Sequence, residues 1–247
     1  MKKAVAMMIL LLPVAALAAD DIFETAEHGT SAQVRAALAG GADVNKKDAK
    51  GWTPLMHAAQ LTMDPNVISV LLAAGARVDQ ADGKGQTALL IASRSNVRQQ
   101  VVLALISAGA GVNTASQEGE TPLMAAAANN SNSQVVKALI SHGAEVNARN
   151  PDGMTPLMLA AMLNGDRHVI TVLADGGARV NERGPEGKTA LMYAAQFTMN
   201  PEVISALLAA GADRALKSNA GLTAWDYARS NQNLAGTSVP LVLKPGN

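Results

Sequence analysis

Cysteine is absent from the 247-residue sequence, which excludes a disulfide framework, thiolate metal sites, thiol catalysis and lipid attachment to a cysteine behind a signal segment. Aromatic residues are scarce, two each of Trp, Tyr and Phe. Any core must therefore close around Leu, Val, Ile, Met and Ala, in close layers of small side chains. Neither sign of charge dominates: 20 Lys plus Arg face 20 Asp plus Glu. That balance belongs neither to a disordered polyelectrolyte nor to a basic nucleic-acid binder. Beyond residue 19, no apolar run approaches the ~20 residues that a membrane-spanning helix needs.

What is present begins with Met1-Lys2-Lys3, an apolar run from Ala4 to Leu12, Pro13, and the stretch Ala15-Ala16-Leu17-Ala18-Ala19 ahead of Asp20. Lysines, a short apolar run and a small-residue site in that order read as a secretory signal peptide. Residues 1–19 are expected to be removed near Ala18 or Ala19, leaving a chain in the periplasm, or secreted, with no membrane attachment. Taking Lys2 and Lys3 from the 20 basic residues leaves 18 against 20 acidic ones, a net charge of −2. A nucleic-acid partner is disfavoured further.

Glycine, one variable residue and threonine recur at Gly51, Gly85, Gly119, Gly153, Gly187 and Gly221, each 34 residues after the last. Gly-Ala pairs at Gly41, Gly75, Gly109, Gly143, Gly177 and Gly211 keep the same spacing. Two independent columns in register define a repeat array. Each period predicts two helices. Thr53 is placed as an N-cap whose hydroxyl accepts an orphan backbone N–H, and Pro54 takes the first helical position, where no hydrogen bond is lost. Thr121-Pro122 and Thr155-Pro156 repeat the device; Thr87, Thr189 and Thr223 keep the cap and follow it with Ala. Leu55, Ala58 and Ala59 give one apolar face at helical spacing, and the alanines admit a close neighbour. A second helix is predicted to open at Asp64-Pro65, with Asn132, Asp166 and Asn200 in the same column and Arg98 breaking it. Val67, Ile68, Leu71 and Leu72 supply its stripe. It ends at the glycine of the Gly-Ala pair, which tolerates left-handed backbone. The polar stretch from Val44 to Gly51 predicts a hairpin-like loop to the next pair.

The units Thr53-Pro54-Leu55-Met56-His57-Ala58-Ala59 and Gly75-Ala76-Arg77-Val78-Asp79, with their counterparts, resemble ankyrin repeats over roughly residues 20–236. The resemblance implies an all-α ankyrin-repeat solenoid of helix-turn-helix units joined by hairpin-like loops. Its parts would be a capping pair at 20–45, five full repeats to about residue 217, a truncated C-terminal cap at 218–236 and a loose tail at 237–247. The chain departs from the family twice. Its period is 34 rather than 33, with the extra residue between Gln60 and Asn66, and the family's usual histidine after Thr-Pro-Leu is replaced by Met56, Leu90, Met124, Met158 and Met192. A tetratricopeptide array shares the period of 34, but its aromatic knobs are missing here and the Gly-Ala loop is foreign to it.

Signs of catalysis are few. None of His28, His57, His142 and His168 has a second histidine at helical metal-binding spacing. His142, just before Gly143, suits the negative end of a helix better than a catalytic role. Gly187-Lys188-Thr189 imitates the end of a phosphate-binding loop, yet Glu182 stands where that loop needs glycine. No nucleophile elbow occurs. The expectation is a protein that is not an enzyme and takes neither metal nor cofactor. Met56, Met124, Met158 and Met192 share one column and are read as core, whereas Met63 and Met199 fall in the inter-helix turn, exposed and open to oxidation.

Stacked units of this family form an extended concave surface of loop tips and first helices. Function is expected at positions free of the repeat. The resemblance implies that the columns beside each loop glycine and after each Ala-Ala pair line this groove: Lys50, Trp52, Gln60 and Leu61; Lys84, Gln86 and Arg94; Glu118, Glu120 and Asn129; Asp152, Met154, Met162 and Leu163; Glu186, Lys188, Gln196 and Phe197. Trp52 and Met154 are read as the strongest anchors, and Leu61 and Phe197 as evenly balanced between packing on neighbouring loops and exposure. The expected partner is another exported protein, bound by a chain that is monomeric when free. One form of this reading is an immunity or inhibitor protein for a cell-wall hydrolase or other toxic enzyme; another is an accessory factor of an exported enzyme such as a catalase. The alternative is a secreted effector acting on a host protein.

Overall fold

The structure, a computed structural model, describes residues 21–95 and 97–244; the expected signal segment lies outside them. Among the described residues there are only helices, turns and loops. The helices come in pairs: α1 (Ile22–His28) with α2 (Ser31–Ala39), α3 (Pro54–Leu61) with α4 (Asn66–Ala73), α5 (Ala88–Ser95) with α6 (Gln99–Ser107), α7 (Pro122–Asn129) with α8 (Ser133–Ser141), α9 (Pro156–Leu163) with α10 (Arg167–Asp175), and α11 (Ala190–Phe197) with α12 (Pro201–Ala209). A last helix α13 (Ala224–Ser230) is followed by a 3-10 turn and the short α14 (Val239–Val242). None of them is long and apolar enough to cross a membrane.

The caps form at the threonines. The hydroxyls of Thr53, Thr121 and Thr155 accept the N–H of Met56, Met124 and Met158 at 3.2–3.3 Å, and Thr87 does the same for Leu90. Thr189 is a correction: its side chain makes no capping bond. The loop before it differs from its counterparts, running through a 3-10 turn at Pro185–Gly187 with Glu186 at φ 56°. Second helices close as expected. At Gly75, φ is 90°, and the N–H groups of Gly75 and Ala76 donate to the carbonyls of Leu72 and Leu71, which satisfies two of the helix's orphan acceptors.

First helices pack on first helices along the whole chain, from α1 through α13, and α2 to α12 form a second layer of their own. Ala58, Ala59, Ala126, Ala127, Ala160, Ala161, Ala194 and Ala195 are all buried between them. Small side chains bring the first helices closer together than the second helices. In solenoids of this kind the loop tips and first helices line the concave side.

Asparagines pin four of the units to the next, and Asp79 stands in their column at the remaining junction, accepting the Gly111 N–H at 2.9 Å. Asn45 Nδ2 donates to the Gly75 carbonyl at 3.0 Å while its Oδ1 accepts the Arg77 N–H at 3.0 Å. Asn113, Asn147 and Asn181 repeat both bonds. At the C-terminus, residues 238–244 are not the loose tail expected. Val239 and Leu243, one helical turn apart, are buried with Leu234 against the end of the stack, and Arg214 Nη1 donates to the Val242 carbonyl at 2.8 Å. They cover apolar surface that a second helix covers in the full units.

Candidate functional site

Each loop tip is shaped by the residue at its base. Asp48 Oδ1 accepts the N–H groups of Lys50 and Trp52 at 2.8 Å, and Asp82 does so for Lys84 and Gln86. Asn150 and Ser116 serve the next loops through the N–H of Met154 and Glu120. Burial raises the two carboxyls, but these backbone donors, with His57 on Asp48 and the Gln86 and Trp52 side chains on Asp82, outweigh it and hold both below the usual aspartate range.

At the first two units these loops enclose His57. Its Nδ1 lies 2.9 Å from Glu27 Oε2 and its Nε2 lies 3.1 Å from Asp48 Oδ2. The imidazole also packs between the Phe23 ring at 5.2 Å and the edge of Trp52 at 5.4 Å. Trp52 is consequently half-buried rather than an open anchor, and its Nε1–H donates to Asp82 Oδ2 on the next loop at 3.0 Å. The Lys50 ammonium lies over the outer face of the same ring at 6.0 Å. His57 was missed as an organiser of this end. The available signal was its column, which otherwise holds Ile91, Ala125, Leu159 and Tyr193.

Four other charged candidates, Arg94, Glu120, Glu186 and Lys188, are also engaged within the stack. Arg94 donates to Gln86 Oε1 at 2.7 Å and pairs with Glu120 from the next loop. Lys188 lies 2.6 Å from Glu186 and donates to Gln196 Oε1 at 3.2 Å, with its ammonium over the rings of Tyr227 and Tyr193. Burial lowers Lys188, but Glu186 prevails and keeps the ammonium above the usual lysine range. Burial pushes the Tyr193 hydroxyl up. These are cross-braces that fix the angle between loops.

Met154 is a further correction. It is only 7% exposed and belongs to the core. Trp52, Gln86, Glu120 and Lys188 of its column each carry a polar handle for a neighbour, whereas the flexible thioether has none and folds inward into the gap. Lys84, Glu118 and Asp152 remain exposed at the tips, Asn129 is exposed with its amide on the Ala125 carbonyl, and Gln60 and Met162 are half-buried.

The open apolar surface lies at the ends of the first helices. Leu61 and Phe197 are each 46% exposed and Leu163 is 57% exposed. Leu163, Phe197 and Met162 border a shallow groove floored by Asn164 and Thr198 between two neighbouring units. Thus exposure, not packing on loops, is the outcome for Leu61 and Phe197. This surface presents apolar area with charged tips beside it, features on which binding of another protein draws.

No curated protein matches the chain. A family model for three tandem ankyrin repeats matches residues 22–116 and again 97–184, and the single ankyrin-repeat model matches residues 186–219. Ankyrin repeats are modules of protein–protein interaction. With its paired helices stacked in single file and these matches running nearly end to end, the chain belongs to the ankyrin-repeat family.

Proposed function

We propose that this chain acts outside the cytoplasm as a non-catalytic adaptor that holds one exported partner protein and inhibits or stabilises it. The observation that carries the reading is the apolar rim of the concave side: Leu61, Leu163 and Phe197 face solvent at positions the repeat leaves variable. Large exposed apolar side chains beside half-buried polar neighbours are the usual make-up of an interface anchor and its surround. Lys84, Glu118 and Asp152, exposed on successive tips, would steer and register the partner. The export step rests on the signal-like order of residues 1–19.

The test is cell fractionation followed by affinity capture of the tagged chain from the periplasm, with the retained proteins identified by mass spectrometry. The reading expects the chain in the periplasmic fraction with one abundant co-purifying protein, whose activity or lifetime changes when the chain is deleted. A chain retained in the cytoplasm, or turnover of substrate by the purified chain alone, overturns it. Recovery from the culture medium would point to the secreted-effector alternative instead.

A further inference from the structure

Six methionines of the described residues lie at the two extremes of exposure, with Met154 nearly buried and Met162 half-buried between them. Met56, Met124, Met158 and Met192 are at most 1% exposed, whereas Met63 and Met199 are 71% and 82% exposed. The exposed pair occupies the same turn in two units, within Gln60-Leu61-Thr62-Met63-Asp64-Pro65 and Gln196-Phe197-Thr198-Met199-Asn200-Pro201. Four periods separate them.

Their exposure is built into the turn. On one side Thr62 is buried, accepts the Asp64 N–H at 3.3 Å and donates to the Asp64 carbonyl at 3.1 Å; Thr198 makes the same pair of bonds with Asn200 at 3.0 and 3.2 Å. On the other side the next residue is tied to the preceding unit, Asp64 Oδ2 accepting the Ser31 N–H at 2.9 Å and Asn200 Nδ2 donating to the Gly165 carbonyl at 2.7 Å. Backbone is thus fixed before and after each methionine, and both thioethers are held in water.

We propose that Met63 and Met199 are paired, reversible oxidation sites that a hydroperoxide modifies without disturbing the fold. In the step, a sulfur lone pair attacks one peroxide oxygen, the S–O bond forms and the O–O bond breaks. The sulfur loses two electrons to become the sulfoxide; the peroxide takes them, and with its own proton leaves as water or an alcohol. Two thiol equivalents, delivered through a methionine sulfoxide reductase, reverse it by returning the thioether, a disulfide and water. Each event replaces an apolar thioether beside Leu61 or Phe197 with a polar group, so the mark changes the character of the rim. The repeat core stays untouched, because its methionines are sealed.

The experiment exposes the purified full-length chain to dilute hydrogen peroxide and follows each methionine by peptide mass mapping, with far-ultraviolet circular dichroism on the same samples. Met63 and Met199 are expected to gain one oxygen each at least about tenfold faster than Met56, Met124, Met158 and Met192, following their exposure, with helicity unchanged. Sulfoxide reductase and dithiothreitol should return both to the thioether. Similar rates for the exposed and buried sets overturn the proposal, as does a loss of helicity in step with the first two oxygens. Neither readout depends on whether a protein partner exists.

Discussion

The loop tips and the inter-helix turns both escape the repeat's sequence constraint, yet they use that freedom in opposite ways. At the tips, Trp52 reaches Asp82, Arg94 reaches Glu120, and Lys188 lies among Glu186, Gln196 and Tyr227. At the turns, Leu61, Leu163, Phe197, Met63 and Met199 face water. A variable position is therefore not the same as an available one. Loops stand directly beside their successors and their long side chains brace one another, while residues at the ends of the first helices point away from the stack. The bracing ties successive loops together, and the ends of the first helices with their turns leave apolar side chains open to water.

This contrast breaks if the two regions respond alike to truncation. Trp52→Ala removes a half-buried ring, its contact with His57 and its bond to Asp82, and should cost about 3 kcal/mol in urea denaturation. Phe197→Ala should change stability by less than about 0.5 kcal/mol; equal losses would remove the distinction. Asn147→Ala severs both bonds of one inter-unit pin and should cost about 1–2 kcal/mol. Ser93→Ala sharpens the case from the other direction. Ser93 is fully buried with its hydroxyl unbonded, in a column that otherwise holds Ala59, Ala127, Ala161 and Ala195. The substitution should stabilise the chain by about 1 kcal/mol.

The smallest effect concerns acid. Asp48, Asp64, Asp82 and Asp226 all titrate below the ordinary 3.8 in the folded chain. Groups whose folded-state value is depressed add stability above their unfolded value and lose it as pH falls through the folded one. Stability should thus decline below about pH 4, and Asp48→Asn with Asp82→Asn should flatten that decline in a pH series of thermal melts. An unchanged slope would mean that the loop bases contribute little.

Much of the fold could be read from local chemistry. Thr-Pro caps, Gly-Ala stops and the alanine pairs each act within one turn of helix, so their pattern marks the helix pairs directly. The Asn45 column was visible as a repeated residue but not as a pin, since its partners lie one unit away. Thr189 failed as a cap where the preceding loop has Gly184 in the place of Asp48 and takes a 3-10 turn. The tail packs because Val239 and Leu243 find an uncovered end, which the local sequence of the tail does not reveal. Site residues were less legible for the same reason. Whether Met154 turns in and Phe197 turns out depends on what the adjoining unit offers.

The most direct test of the account is the affinity of the captured partner for the wild-type chain and for the double variant Leu163→Ser, Phe197→Ser, measured by titration calorimetry with circular dichroism as the control for folding. The account predicts a folded variant whose affinity falls at least about tenfold. A folded variant that binds as tightly as the wild type would contradict it.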